Sequence, residues 1–160
     1  MSSMIRMETL DGVFNHRIVG VAIHDDYVLL HRNVQDDFWA LPGGRAEVME
    51  PSEKTIQREF QEELALDVKV VRLLWVVENF FEYDHVPYHE LSFFYLVDID
   101  NESSILDKQK EHPGIEKNVN LVFRWFPLKE LEVLPLYPTF LRSALRQLPS
   151  AVQHIVHYDK

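Results

Sequence analysis

The chain contains no cysteine among its 160 residues. That excludes a disulfide framework and any thiolate-held metal. It also lacks long apolar runs: nothing approaches the ~18 consecutive apolar residues of a membrane span. The opening residues, MSSMIRMETLDG, carry no apolar core of signal-peptide length, so a cytoplasmic protein without a membrane partner is expected. No repeat, linker or low-complexity tract interrupts the chain. Basic residues are the minority, 16 Lys and Arg against 26 Asp and Glu, for a net charge of −10. A long nucleic acid is a poor partner for such a surface.

What is present is ordinary for a globular protein: 46% hydrophobic and 26% charged residues. This length is one domain, residues 1–160, with room for a proper core. Arg17 to Ile23 is β-branched and reads as a strand. Asp25-Asp26 marks a turn, and Tyr27 to His31 returns as the partner of a hairpin. Phe38 to Leu41 is a short extended piece that ends at Pro42. Ser52 is the expected N-cap of a helix that runs to about Leu64, with Ile56, Phe60 and Leu64 as its buried stripe. Val68 to Phe81 reads as a long strand, bent or bulged. Asp84 to Pro87 turns the chain, and Tyr88 to Ile99 comes back antiparallel. Asn101 to Asn120 is polar and reads as a long loop, a length that is often functional. Leu121 to Phe126 is a further strand, followed by a short helix near Leu128 to Val133. Thr139 to Leu148 reads as a second full helix with Phe140, Leu141, Ala144 and Leu148 on its apolar side. Ala151 to Tyr158 is the expected last strand. Mixed strands with one early and one late helix make an α/β sandwich.

The most informative stretch is Gly44 to Leu66, GRAEVMEPSEKTIQREFQEELAL. On its helix Glu59, Glu62 and Glu63 fall at i, i+3 and i+4, stacked on one side. Only Arg58 is interleaved to relieve their repulsion. Taken alone, such a run is most simply a solvated acidic face. It also makes sense if divalent cations sit between the carboxylates, since Mg²⁺ is held by a few carboxylates plus substrate phosphates. A small phosphate-bearing substrate then suits the acidic chain, because the cations neutralise the local charge.

The spacing resembles the Nudix box: Gly44, Glu50, Arg58, Glu59, bulky Phe60, Glu62, Glu63 and apolar Leu66 stand where that pattern places them. Ala65 replaces the usual glycine, so eight of nine specified positions match. FWALPGG, Phe38 to Gly44, resembles the run that leads into the box. The position of Ala65 looks like a left-handed helix C-cap, where a Cβ costs on the order of 1 kcal/mol without loss of side-chain chemistry.

The resemblance implies a Nudix-type α/β/α sandwich with a mixed β-sheet. It implies a Mg²⁺- or Mn²⁺-dependent pyrophosphohydrolase that cleaves a diphosphate linkage in a nucleotide-type substrate. Glu59, Glu62 and Glu63 would bind metal, with the Gly43 carbonyl as a further ligand, and Glu59 would also orient or deprotonate the attacking water. Arg58 would hold a glutamate in place by a charge-assisted pair. Gly44 and Glu50 would shape the loop, while Glu47 is as well read as a surface carboxylate. Relatives often take one more carboxylate from a distant loop. Residues 101–120 offer Glu102, Asp107, Glu111 and Glu116; Glu116 is favoured, then Glu111, with Glu90 on the strand after Pro87 as a competitor that needs a partner.

Eight histidines raise the question of zinc. His85 and His89 flank Pro87, which forbids a regular helix, and His154 and His157 lack an obvious third ligand. Trp75, Phe80, Phe81 and Tyr83 could stack on a ring, although core or a subunit interface, as in a homodimer, explains most of them at strand spacing. Tyr83 stands where dinucleoside-polyphosphate hydrolases tend to have a tyrosine, and Tyr83 and Phe80 are the candidate substrate contacts. The marks of the NADH, coenzyme A and ADP-ribose subfamilies are absent, and nucleoside triphosphates stay open. The alternative reading is a catalytically silent nucleotide sensor, which would be expected to have lost box glutamates or gained a second domain. An isomerase of diphosphates would need a cysteine.

Overall fold

The computed structural model describes residues 3–159. Its strands, in chain order, are β1 Arg6–Glu8, β2 Val13–His24, β3 Tyr27–Asn33, β4 Gly43–Arg45, β5 Val68–Tyr83, β6 Val86–Ile99, β7 His112–Pro113, β8 Leu121–Pro127 and β9 Gln153–Tyr158. Helix α1 spans Ser52–Leu64, and a short α2 spans Leu141–Ala144. The mixed sheet runs β7-β8-β3-β2-β6-β5-β9.

Strand β2 organises the molecule. One of its edges pairs in parallel with β6, from Val13↔Tyr88 to Ala22↔Val97. It also pairs antiparallel, in succession along its length, with β1, β4 and β3. The β2–β3 turn is Asp25-Asp26, both at positive φ, as a tight two-residue hairpin requires. Asp84-His85 makes the matching turn between β5 and β6, so that strand resumes at Val86, earlier than the composition around Pro87 indicates. The long β5 carries register shifts at Val70/Arg72 and Leu73/Trp75, the bulges that its length called for.

Alternation along the strands divides the core between two faces of the sheet. Ile18, Ala22, Leu29, Phe123 and Trp125 face α1 and pack on Ile56 and Phe60. Val19, Val21, Val28, Leu30, Trp75 and Phe94 pack on the other side against Leu131, Leu136, Leu141 and Leu145. Helical segments thus cover both faces, which is the α/β/α sandwich.

Three local expectations change. Helix α1 is capped by Pro51 in extended geometry, with no side-chain cap bond. Ser52 is the first helical residue, and its hydroxyl pairs with Tyr95 Oη at 2.6 Å. The late helix is regular over only four residues. Prolines 138 and 149 bracket it, and most of its turns close i to i−3, as in Arg142 N–H to Thr139 O at 3.2 Å. So short a segment cannot repay helix nucleation, yet Phe140, Leu141, Ala144 and Leu148 still pack on the core. The 101–120 loop is partly structured. It holds a 3₁₀ turn at Ser104–Leu106 and the β7 pairing with β8. The buried Trp125 Nε1–H reaches into it, donating to Ile105 O at 2.6 Å.

Candidate active site

Burying Ile56 and Phe60 under the sheet fixes the rotation of α1, and that rotation separates the three glutamates. Glu59 and Glu63 are 6% and 5% exposed, whereas the Glu62 side chain is 44% exposed. The helix ends at Ala65, at φ 52° and ψ 41°, the left-handed cap that the box spacing implies. Its N–H donates to Gln61 O at 2.9 Å. Strand β4 brings the glycine loop over the helix. A Cβ on Gly44 would lie 2.3 Å from the Glu59 carboxyl carbon, and one on Gly43 would lie 2.1 Å from Ile18 O. Both positions therefore exclude a side chain.

Arg58 is saturated from within. Its Nε and Nη2 grip the two Glu50 oxygens at 2.7 and 3.0 Å. Nη1 donates to Glu59 at 2.9 Å and to Glu62 at 3.2 Å, and Nη2 also reaches Arg45 O at 3.2 Å. This grip, aided by the Thr55 hydroxyl, holds the Glu50 carboxyl down at about 2. Glu50 also accepts from the Glu47 N–H at 3.2 Å, which ties the loop back on itself. Burial pushes Glu59 up despite Arg58. Glu63 is pushed up to about 9, by burial first and then by the neighbouring Glu59. His31 Nδ1 lies 3.9 Å from Glu63 and makes no hydrogen bond among the described residues. Burial, with Arg17 nearby, drives His31 down to about 3.

A cleft of about 670 Å³ opens beside Glu63. Gly43, Arg17, His31, Asn79 and Glu90 line its inner part, and Phe38, Phe81, Tyr83 and Tyr137 line its mouth. Tyr83 is thus a wall residue, linked to Asp36 at 3.4 Å. Phe80 is not: strand alternation puts it on the opposite face, stacked between His89 and Tyr158 at 4.5 and 4.8 Å. The neighbouring Phe81 takes the cleft position instead.

Of the distal acids, Glu116 is drawn to the site: the Ile115 N–H donates to Glu63 O at 2.9 Å, and the Glu116 charge acts on Glu63. Glu111 is exposed. Glu90 does have partners, Asn15 Nδ2 at 2.6 Å and the Ser92 hydroxyl at 3.1 Å.

The histidines do not converge. His85 is exposed at the hairpin tip, His154 pairs with Glu78 at 2.7 Å, and His157 meets Thr139 at 3.0 Å. Trp75 is core, against Phe94 and Phe140. Arg17, His31, Asn79 and Asp159 reach the cleft although nothing in their local sequence marks them. For Arg17, His31 and Asn79 the one sign is polarity inside β-branched or aromatic strands, and Asp159 follows the last strand.

The fold and the acidic helix under a glycine loop define a Nudix-type architecture, and comparison with known proteins agrees. The family model described as NUDIX domain matches residues 14–148, and the chain belongs to that family. It is 31% identical over 144 residues to the Bacillus subtilis protein named "Putative ADP-ribose pyrophosphatase YjhB", covering 88% of this chain and 62% of the relative. It is 40% identical over 65 residues to the 8-oxo-dGTP diphosphatase of Proteus vulgaris, covering 41% of this chain and 55% of that protein. The chain thus spans less than two thirds of these relatives. Among solved structures, a NUDIX hydrolase from Nitrosomonas europaea superposes with a TM-score of 0.62 at 15% identity, over 95% of this chain and 82% of the other. An ADP-ribose pyrophosphatase from Streptococcus suis gives 0.57 at 18% identity, over 89% and 98%. At these identities they attest the fold.

Proposed function

We propose that this chain is a metal-dependent hydrolase of a diphosphate linkage in a nucleotide-type substrate. One observation carries the reading. Glu59 and Glu63 bury adjacent carboxylates, and Arg58, which bonds Glu50, Glu59 and Glu62, makes no bond to Glu63 among the described residues. A buried acidic pair is costly unless a proton or a cation compensates it. The names of the two sequence relatives, a pyrophosphatase and a diphosphatase, support the same reaction class.

The residues fit a hard divalent cation. Carboxylates are the donors that Mg²⁺ and Mn²⁺ prefer. Among the described residues no three His, Cys, Asp or Glu side chains surround a common point, and Arg58 bonds Glu62 at 3.2 Å. Glu59 and Glu63, with Glu62 and the Gly43 carbonyl, would hold the ion. When bound, it would supply Lewis-acid polarisation of the phosphoryl oxygens. Arg58 and Glu50 keep the helix and the glycine loop in register, so that Glu59 stays under Gly44. Glu59 would orient the attacking water, and Glu116 would accept its proton. The half-buried Arg17 makes one hydrogen bond, to Leu41 O at 3.3 Å, and keeps its other donors for a phosphate.

The test is a panel of diphosphate compounds with Mg²⁺ or Mn²⁺, read by phosphate and nucleotide release. Turnover that EDTA abolishes is the expected result. Tight binding of a nucleotide with no turnover of any compound would favour the sensor reading instead.

A further inference from the structure

The cleft floor is built where β2, β6 and β5 lie side by side, and its character changes abruptly along one face of the sheet. Val19, Phe94 and Trp75 form a cross-strand row that belongs to the core. The next row is Arg17, Ser92 and Val77. Beyond it come Asn15, Glu90 and Asn79. Asn15 and Ser92 are each 1% exposed and Asn79 is 5% exposed. Polar side chains in such positions cost stability unless they are satisfied, and these are satisfied unequally.

Glu90 is pinned. Arg45 Nε donates to Asn15 Oδ1 at 3.4 Å, which turns the Asn15 amide so that its Nδ2 donates to Glu90 Oε2 at 2.6 Å. The Ser92 hydroxyl donates to Glu90 Oε1 at 3.1 Å. Each carboxylate oxygen thus has one donor, where a carboxylate accepts about four in all. No ion-pair contact reaches Glu90 among the described residues; Arg45, bonded to Asn15, feels its charge from the side. Directly across the strand pair, Asn79 Oδ1 is buried with no partner. Both residues line the cleft. The positioned carboxylate on the cleft wall and the unpartnered amide oxygen buried beside it offer acceptors only. A phosphate would be repelled there and is better met one row away, at Arg17.

We propose that Glu90 and Asn79 form a hydroxyl-reading subsite that takes the vicinal hydroxyl pair of a sugar, ribose or hexose, carried by the diphosphate substrate. Adjacent hydroxyls present two O–H donors to neighbouring acceptors, the same complementarity by which a carboxylate reads a nucleotide ribose. This inference rests on the hydrolase reading above. It makes Glu90 a specificity-determining residue, in contrast to a distal base, which would act mainly in the transition state.

The experiment compares steady-state kinetics of the full chain, with Mg²⁺, on a nucleoside diphosphate-ribose, a nucleoside diphosphate-hexose and the dideoxy counterpart of each. Wild type should show a KM about tenfold lower for a diol than for its dideoxy counterpart, the worth of roughly one well-placed hydrogen bond to a charged group. The sugar with the larger ratio identifies the substrate moiety. Glu90→Gln and Asn79→Leu should raise KM for the diol about tenfold, hold kcat within about threefold, and bring the diol-to-dideoxy ratio toward one. Asn79→Leu should also melt no lower than wild type, because the buried Oδ1 it removes has no partner to lose. A Glu90→Gln variant with collapsed kcat and unchanged KM, or a wild type blind to the diol, overturns the proposal. If no diphosphate is turned over at all, the hydrolase reading fails and the subsite is decided by calorimetry with ribose 5-phosphate in metal-free buffer. Binding that Glu90→Gln weakens about tenfold upholds it, and no binding or no weakening overturns it.

Discussion

The backbone N–H of Ile115 donates to the carbonyl of Glu63 across 2.9 Å. This one bond ties a loop more than fifty residues downstream to the last turn of the acidic helix. It uses a helix-end carbonyl that would otherwise lack an intrahelical partner. It also sets Glu116 beside the buried glutamate, near enough for its charge to act on Glu63.

Glu116→Gln should therefore lower kcat by at least tenfold with little change in KM, as expected of a group that acts in the transition state. Glu111→Gln, on an exposed part of the same loop, is the matched control and should behave as wild type. Kinetics of the two variants at saturating Mg²⁺ decide the matter. A silent Glu116→Gln would remove this residue from the mechanism.

Glu63→Gln keeps shape and removes an ionisable carboxyl buried next to Glu59. Activity should fall by orders of magnitude. In metal-free buffer the variant should melt at or slightly above wild type, because the folded state no longer has to bury a second carboxylate. Added Mg²⁺ should raise the melting temperature of wild type and leave that of the variant nearly unmoved. Thermal melts with and without EDTA read this directly.

Glu50 supplies a pH signature. Its folded-state pKa lies at about 2, below the ordinary value near 4.5. The stability from its pairing with Arg58 is thus fully present above about 4.5 and is lost as pH falls toward 2. Glu50→Gln should flatten that part of the stability curve, as measured by denaturant unfolding between pH 5 and pH 2.5. Arg58→Lys should cost about 1.5–3 kcal/mol at pH 7, since an ammonium cannot reproduce the two-point grip on Glu50. If Arg58→Lys were as stable as wild type, the guanidinium would not be what locks the loop to the helix.

Ala65 sits at φ 52°. Ala65→Gly should stabilise the chain by a few tenths to about 1 kcal/mol, after the greater unfolded-state entropy of glycine is set against the relieved strain. Equilibrium unfolding in urea measures the difference, and a loss of stability would contradict the left-handed cap.

Much of this arrangement follows from local chemistry and so is legible in the chain. Asp25-Asp26 announces a two-residue hairpin because short polar side chains tolerate positive φ. Ile56 and Phe60 recur at helical spacing, so the helix and its buried face are both visible. The box spacing sets Arg58, Glu59, Glu62 and Glu63 on one helix and a cap at Ala65. The late helix misled, since the apolar spacing of 139–148 is genuine but packing against the core needs only a tight turn between two prolines.

What tertiary structure alone decided is which polar residues meet. On the helix Glu59, Glu62 and Glu63 look alike; packing of Phe60 under the sheet buries two of them and leaves the third half exposed, bonded to Arg58. The parallel pairing of β2 with β6 sets Asn15 against Glu90, 75 positions away, and β5 adds Asn79 alongside. Strand alternation, counted across the bulges of β5, turns Phe81 and Tyr83 into the cleft and Phe80 out of it. Register between distant strands depends on the sum of many side-chain contacts. A local stretch of sequence can show that Asn79 is out of place in a strand, but only the assembled sheet shows what it faces.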